Sequence, residues 1–380
     1  MRSRTRFLLA VAAAVVGCST PYRPPVIAHG SAPFTGIAGL IEQGRPTQID
    51  VLLVHGMCTH TRDDAVRAIE ALATALNRDI ARAPAMLLSV PDEVGGIGIE
   101  TREVQVGGST VRFAALVWSP LTTPLKAQLA YDATGTPTDC AAPGECRPVR
   151  AVVNGTLKDG LLNDCLADAL IYQGRSRPVI RQKMAEAIAR VLEDSRARAQ
   201  ALELRPGALA LVSDSLGSKI SFDALDWMTA SSGSAGQKAA GQSALDRLAI
   251  VYMQANQLPI LGLADQTIGI GAHAMTDDGD DSLLRLLTRK KAPAAASRQA
   301  REPRLALVAF TDPNDLLSYR LLRSRYDVSG IDVSDVLVSN DRTWLGLLER
   351  PDTAHTHYPQ NKDVTRFIAC GSGGSALCAK

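Results

Sequence analysis

Three kinds of side chain in this sequence could together do nucleophilic chemistry: the hydroxyl of Ser215, the imidazoles of His355 and His357, and the carboxylates of Asp312 and Asp315. A serine hydroxyl is a poor nucleophile until an imidazole takes its proton. The imidazole in turn needs a carboxylate to hold its tautomer and stabilise its charged form. Ser215 stands in Leu211-Val212-Ser213-Asp214-Ser215-Leu216-Gly217-Ser218, where an apolar run gives way to helical spacing. A serine at such a junction also suits a helix N-cap, so the local pattern alone leaves both roles open. Asp312 and Asp315 follow the apolar run 305–310, and either can be the carboxylate or a turn-capping group. His355 and His357 come later still. The chain holds six histidines in 380 residues, so a pair at this place carries information beyond two surface imidazoles.

Elements must hold these groups at one edge of a scaffold. Near-continuous apolar runs at 49–55, 207–213, 248–253 and 305–310 fit strands buried on both faces, as in a parallel sheet. Residues 85–90 and 333–338 are further strand candidates, and 103–106 with 110–118 read as a hairpin about Gly107-Gly108. Helical spacing appears at 63–80, with Val66, Ile69, Leu72, Ala73 and Leu76 on one side and Asp63 and Asp64 at its start. It recurs at 179–202 and 218–228, and 364–369 lies in a terminal helix. Residues 120–178 lack a clean period and read as an inserted helical cap or loop region. Residues 276–303 read as a surface excursion, and the acidic tract 277–281 lacks the spacing of a calcium loop. Apolar strands alternating with amphipathic helices predict an α/β fold with a mostly parallel central sheet flanked by helices.

The Ser213-x-Ser215-x-Gly217 junction resembles the nucleophile elbow of the α/β-hydrolase superfamily, with Ser213 where that pattern usually has glycine. Residues two before and two after the nucleophile must be small because its backbone is strained. Val54-His55-Gly56-Met57, ending the first strong strand, is similar to the oxyanion loop of the same superfamily. The order Ser…Asp…His is its order too, and Ala354-His355-Thr356-His357-Tyr358 looks like its histidine loop. The resemblance covers roughly 49–369. It implies an α/β-hydrolase fold with Ser215 as nucleophile, His355 as base and Asp315 as acid. His357 and Asp312 are the alternatives for the last two. It also implies that the backbone N–H groups of Met57 and Leu216 receive the oxyanion, and it leaves His55 a structural place in its loop.

Arg2, Arg4 and Arg6 followed by the apolar run 7–16 and Val15-Val16-Gly17-Cys18 resemble the signal and lipobox of bacterial lipoproteins. The implied organisation is a signal peptide over 1–17 and a lipid-anchor linker over 18–48 beginning at a lipidated Cys18. A hydrolase domain over 49–370 and a tail over 371–380 complete it. Ser19 after Cys18 points to the outer membrane, facing the periplasm. Without those three arginines the balance is 38 basic to 39 acidic residues, which gives no reason to expect nucleic acid as a partner. Six cysteines remain: Cys58, Cys140, Cys146, Cys165, Cys370 and Cys378. An oxidising compartment makes disulfides plausible, with 140–146 and 370–378 attractive as short loops. None is spaced C-x2-C, so neither a metal nor a redox pair is expected, and no cofactor is called for.

The expected activity is that of an envelope-anchored serine hydrolase, a lipase- or esterase-like enzyme cleaving small-molecule or lipid carboxylic esters through an acyl-enzyme. The 120–178 insertion would be a lid over an acyl pocket. Acyl transfer and thioester cleavage use the same triad. A non-catalytic lipoprotein keeping the fold as a binding module is the reading from another class, favoured by the serine at position 213.

Overall fold

The computed structural model describes residues 18–30, 33–44, 47–76, 90–134, 149–230, 233–266, 281–290, 305–328 and 330–378. The signal segment 1–17, the strand candidate 85–90 apart from Val90, the 140–146 cysteine pair and most of the 276–303 excursion lie outside them.

Among the described residues nine strands form one sheet. In chain order they are β1 (Val26–His29), β2 (Thr47–Val54), β3 (Val90–Val94), β4 (Ile97–Val106), β5 (Ser109–Val117), β6 (Arg205–Asp214), β7 (Leu248–Gln254), β8 (Leu305–Thr311) and β9 (Ile331–Leu337). The spatial order is β1-β9-β8-β7-β6-β2-β5-β4-β3. Strands β9, β8, β7, β6, β2 and β5 run parallel, while β1 on one edge and the β3–β4–β5 meander on the other pair antiparallel. Gly107 and Gly108, both at positive φ, make the β4–β5 turn as their composition predicts.

The eight residues of β2 and the seven of β8 are all buried, because helices cover both faces. On one face lie α3 (Arg177–Ala201), α4 (Leu216–Thr229), α5 (Ala235–Arg247) and α6 (Ser282–Arg289). They pack through Met184, Ile188, Ile220, Leu225, Leu245 and Leu286 onto alternate strand residues such as Leu52, Leu211, Val251 and Leu307. On the other face α1 (Ile37–Gly44), α2 (Arg62–Leu76) and, after the short α7 (Pro351–Thr356), α8 (Lys362–Cys370) bury Ile41, Ile69, Leu72 and Ile368. Their partners are the intervening strand residues Val51, Val212, Tyr252 and Val308. The period of two along each strand assigns each side chain to its layer.

The sheet reverses its winding at β2. The chain goes from β2 to β5 on one side and then crosses to β6 on the other, so a crevice opens beyond the carboxyl ends of β2 and β6. Most candidate residues of the sequence reading fall just past such a strand end: Gly56 and Met57 after β2, Ser215 after β6, Asp312 and Asp315 after β8; His355 and His357 come instead from the short helix α7 and its C-terminal cap.

Two expectations need correction. The stretch 18–48, expected to be a linker, is part of the fold. Val26–His29 adds an edge strand to β9, α1 is buried through Ile37, Ala38, Leu40 and Ile41, and Cys18–Ser19 pairs antiparallel with Thr343–Trp344. Its Pro and Gly content hid an apolar stripe only one helix long. Within the expected surface excursion, α6 is a core helix, capped by Asp281 and burying Leu283, Leu286 and Leu287. Of the two possibilities left open for 120–178, helical cap or loop, its described part is mostly helical and includes the wide-wound π-helical stretch Leu157–Leu166. The tail is tied down by a Cys370–Cys378 disulfide and by Ser372 N–H to the Phe34 carbonyl at 3.1 Å.

Candidate active site

Ser215 caps α4 with φ 50° and ψ −124°, a conformation costly for any residue with a Cβ. Its N–H is held by the Gln254 carbonyl at 2.8 Å, and its own carbonyl accepts from Ser218 N–H at 3.1 Å. The turn closes only because its neighbours are small. A Cβ on Gly217 would stand 2.3 Å from the His55 carbonyl oxygen. Ser213, in the place where glycine was expected, fits because its hydroxyl donates to the Tyr252 carbonyl at 3.2 Å and pairs with Ser218 Oγ at 2.9 Å.

The imidazole comes from α7. His355 Nε2 lies 3.1 Å from Ser215 Oγ, and Nδ1 lies 2.9 Å from both carboxylate oxygens of Asp315. Asp315 is acceptor-only, so it sets the tautomer: Nδ1 carries the proton and Nε2 is free to accept from Ser215. All three side chains are buried. Burial alone would lower the His355 pKa. The hydrogen bond and charge of Asp315, helped by Asp214, override it and hold the imidazole above its ordinary value.

Asp315 is itself positioned. Its Oδ1 accepts from Leu317 N–H at 2.9 Å and its Oδ2 from Tyr358 O–H at 3.1 Å. Tyr358 accepts in turn from Asp312 N–H at 2.7 Å. Burial and the Asp315 charge keep the Tyr358 phenol well above its ordinary pKa, so it stays a donor. Sequence reasoning noticed this tyrosine in the histidine loop but gave it no partner. Asp312, the alternative acid, does not meet His355. It accepts Asn340 N–H at 2.6 Å and Asn314 N–H at 2.9 Å, pinning the 312–315 loop to the chain after β9. It also stands beside Glu349, which burial and the Asp312 charge push up to about 7. His357, the alternative base, closes α7 through its backbone N–H to the Thr353 carbonyl at 3.1 Å, and its ring joins none of these contacts.

Facing the nucleophile is the 55–60 loop. His55 is structural. Its Nδ1 donates to the Gly56 carbonyl at 2.8 Å, its Nε2 accepts Trp118 N–H at 2.9 Å, and its ring stacks on Trp118 at 5.1 Å. Burial and neighbouring His60 push its pKa well below the ordinary value, so it is a neutral ring. The Met57 and Leu216 N–H groups find no acceptor among the described residues. Both follow directly on the two residues that touch across the crevice, Gly56 and Ser215.

A disulfide, Cys58–Cys165, fastens this loop to the insertion. Lys126 reinforces it, binding Thr59 Oγ1 at 3.0 Å, Asp164 Oδ1 at 2.8 Å and Asp168 Oδ2 at 3.1 Å. The spacing of the cysteines could not single out this pairing, whose members are 107 residues apart. Cys58, Asp164 and Cys165 are close enough to one another to suggest a metal site. Both sulfurs are spent in the disulfide, so no thiolate is available.

A cavity of about 190 Å³ lies behind the site, lined by Leu53, Ala65, Leu72, Val117, Val212 and Thr356 among others. Its lining includes Asp214 but not Ser215 and no described residue of 120–178, so it does not match the acyl pocket expected under the insertion. Asp214 is the residue sequence reasoning passed over. Its Oδ1 is sealed from solvent with no hydrogen-bond partner among the described residues, while the rest of the residue keeps some exposure. Burial, with the Asp315 charge adding to it, lifts its carboxyl to about 7.

No family model matches this chain, and neither a curated protein nor a solved structure matches it. The fold and site define an α/β protein with a mostly parallel sheet flanked by helices, carrying a buried Ser–His–Asp hydrogen-bonded arrangement at the carboxyl edge of that sheet.

Proposed function

We propose that this chain is a serine hydrolase of the α/β-hydrolase type that cleaves carboxylic esters through an acyl-enzyme. One observation carries the reading. Hydroxyl, imidazole and carboxylate come from segments 140 and 40 residues apart, yet they form a continuous relay with distances of 3.1 and 2.9 Å. The strained φ of Ser215 supports it further, since a binding module or a plain N-cap has no use for that cost.

In this reading His355 Nε2 takes the Ser215 proton as Oγ bonds to the ester carbonyl carbon. The carbonyl π pair moves to oxygen, which the Met57 and Leu216 N–H groups receive. The tetrahedral adduct collapses, and the alkoxide leaves with the proton from Nε2. Water then repeats the sequence: His355 takes its proton, the hydroxide adds to the acyl carbon, and Ser215 leaves protonated with release of the acid. Asp315 holds the ring and stabilises the imidazolium. Cys18 would carry the lipid anchor, placing the enzyme at an envelope membrane.

Ser215→Ala tests this. Cleavage of p-nitrophenyl esters should fall by about 10⁶-fold with an unchanged melting temperature. The native protein should form a fluorophosphonate adduct at Ser215. Unchanged turnover, or labelling elsewhere, rejects the assignment.

A further inference from the structure

The loop after β9 makes a tight hairpin, with Trp344 N–H bonded to the Leu348 carbonyl at 2.7 Å and Leu345 and Gly346 at positive φ. The hairpin turns its apolar side chains outward: Trp344 and Leu345 are 59% exposed, Leu348 61% and Leu347 84%. Four large apolar side chains on one short turn are more than scattered surface hydrophobes. Exposed Arg342 precedes them, and exposed Arg350, paired with Asp352, follows.

The residue paired with Trp344 is Cys18. The pairing is fastened by Thr343 Oγ1, which donates to the Ser19 carbonyl at 2.9 Å and meets Ser19 Oγ at 2.8 Å. Directly before Cys18 runs the apolar stretch 7–16. Whether that stretch is retained or is replaced by acyl chains on Cys18, membrane-seeking material begins one strand spacing, about 5 Å, from Trp344.

We propose that the 344–348 hairpin inserts into the lipid interface beside Cys18. Trp344 sits at headgroup depth, the leucines lie among the upper acyl carbons, and Arg342 and Arg350 remain at the phosphates. The anchor is thus a fixed two-point mount rather than a tether. The hairpin runs straight into Glu349, which accepts from Asn314 Nδ2 at 2.8 Å, and then into α7 with His355. Docking therefore sets the His355 and Asp315 loops close to the bilayer surface. Leu316, which follows Asp315 in the chain, is also exposed. On the hydrolase reading of this site, on which only this last step rests, the substrate class is an ester residing in the membrane.

The test uses the chain from residue 18 with Cys18→Ser, so that no lipid contributes, and vesicles of phosphatidylethanolamine and phosphatidylglycerol. Of the three tryptophans Trp118 is fully buried, Trp227 on α4 is half-buried under Arg181 and Trp344 is exposed, so the quenching by brominated acyl chains that disappears in Trp344→Phe reports the hairpin. The expected result is vesicle co-flotation with quenching. Co-flotation should weaken at least about tenfold in Leu345→Asp/Leu347→Asp, quenching should be lost in Trp344→Phe, and soluble-ester cleavage and melting temperature should be unchanged in both. Leu347→Ser alone, at the most exposed position, gives a partial loss should the double variant fold poorly. Absent flotation, equal flotation of the variants, or a concentration-dependent dimer abolished by the same substitutions would overturn the proposal. Because flotation does not depend on turnover, an inactive but vesicle-bound protein would reject the hydrolase reading alone.

Discussion

Gly56 and Ser215 touch across the crevice: a Cβ placed on Gly56 would lie 2.8 Å from the Ser215 Cβ and 3.1 Å from the Asp214 carbonyl oxygen. The oxyanion loop and the nucleophile turn are therefore one packed unit, and the missing side chain at position 56 sets their separation.

Gly56→Ala should push the 55–58 loop away from Ser215 and displace the Met57 N–H. Losing one such donor costs about 10²–10³-fold in kcat, with KM little changed. Gly217→Ala meets backbone oxygens, at 2.3 and 2.8 Å from those of His55 and Val54, and these cannot yield as a side chain can. It should destabilise the fold by about 2–3 kcal/mol as well. Steady-state kinetics and thermal melts on both variants check this, and wild-type kinetics in Gly56→Ala would refute it.

The two aspartates of the 312–315 loop should separate cleanly. Asp315→Asn leaves the geometry but presents the wrong tautomer, and about 10⁴-fold of kcat should go with it. Asp312→Asn should stay within about tenfold of wild type, because its bonds are to backbone N–H groups that the amide oxygen can still partly serve. The reverse ranking would mean that the acid has been misassigned.

His355 must be neutral to accept the Ser215 proton, and its pKa is held above 6.5. Activity should therefore rise with pH along a limb centred above 6.5, lost on the acid side as the ring protonates. In Asp315→Asn the residual limb should move to lower pH, since the raising partner is gone. A pH profile of kcat/KM decides it.

Asp214 makes a stability prediction. Its carboxyl ionises at about 7 in the folded chain, against about 3.9 when unfolded. Between these values the unfolded chain has already lost its proton while the folded one keeps it. Stability therefore falls as pH rises from about 4 to about 7 and is level above. Asp214→Asn should remove that slope, stabilising the protein by about 1–2 kcal/mol at pH 8, discounted for the residue's partial exposure, and by little at pH 4. Melting temperatures across this range measure it, and a pH-independent difference would contradict the assignment.

Removing the Cys58–Cys165 bridge frees the oxyanion loop from the insertion. With its ends 107 positions apart in sequence, the cost should be about 3–5 kcal/mol of stability. Lys126 and Asp164 still hold the loop, so turnover should drop less than in Gly56→Ala. Melts and kinetics of Cys58→Ser/Cys165→Ser compare the two effects.

Much of the architecture was legible in the chain itself. The apolar runs 49–55, 207–213, 248–253 and 305–310 appear as β2, β6, β7 and β8 with ends shifted by two residues at most, because strands buried on both faces leave no polar alternation to misread. The small residue at 217 and the order Ser…Asp…His were likewise local facts, set by backbone sterics and chain direction. Other matters depend on groups far apart in sequence that meet only on folding. Asp315, not Asp312, faces His355 because the turn after β8 aims one carboxylate at α7 and the other at Asn340. Tyr358 shores up that carboxylate, and Cys58 finds Cys165 across 107 residues. Residues 18–30 lie on the body instead of hanging from it because β9 left an edge for Val26–His29 to pair with. Composition reports what each segment can bury; only the assembled sheet decides which edges, oxygens and sulfurs remain to be matched.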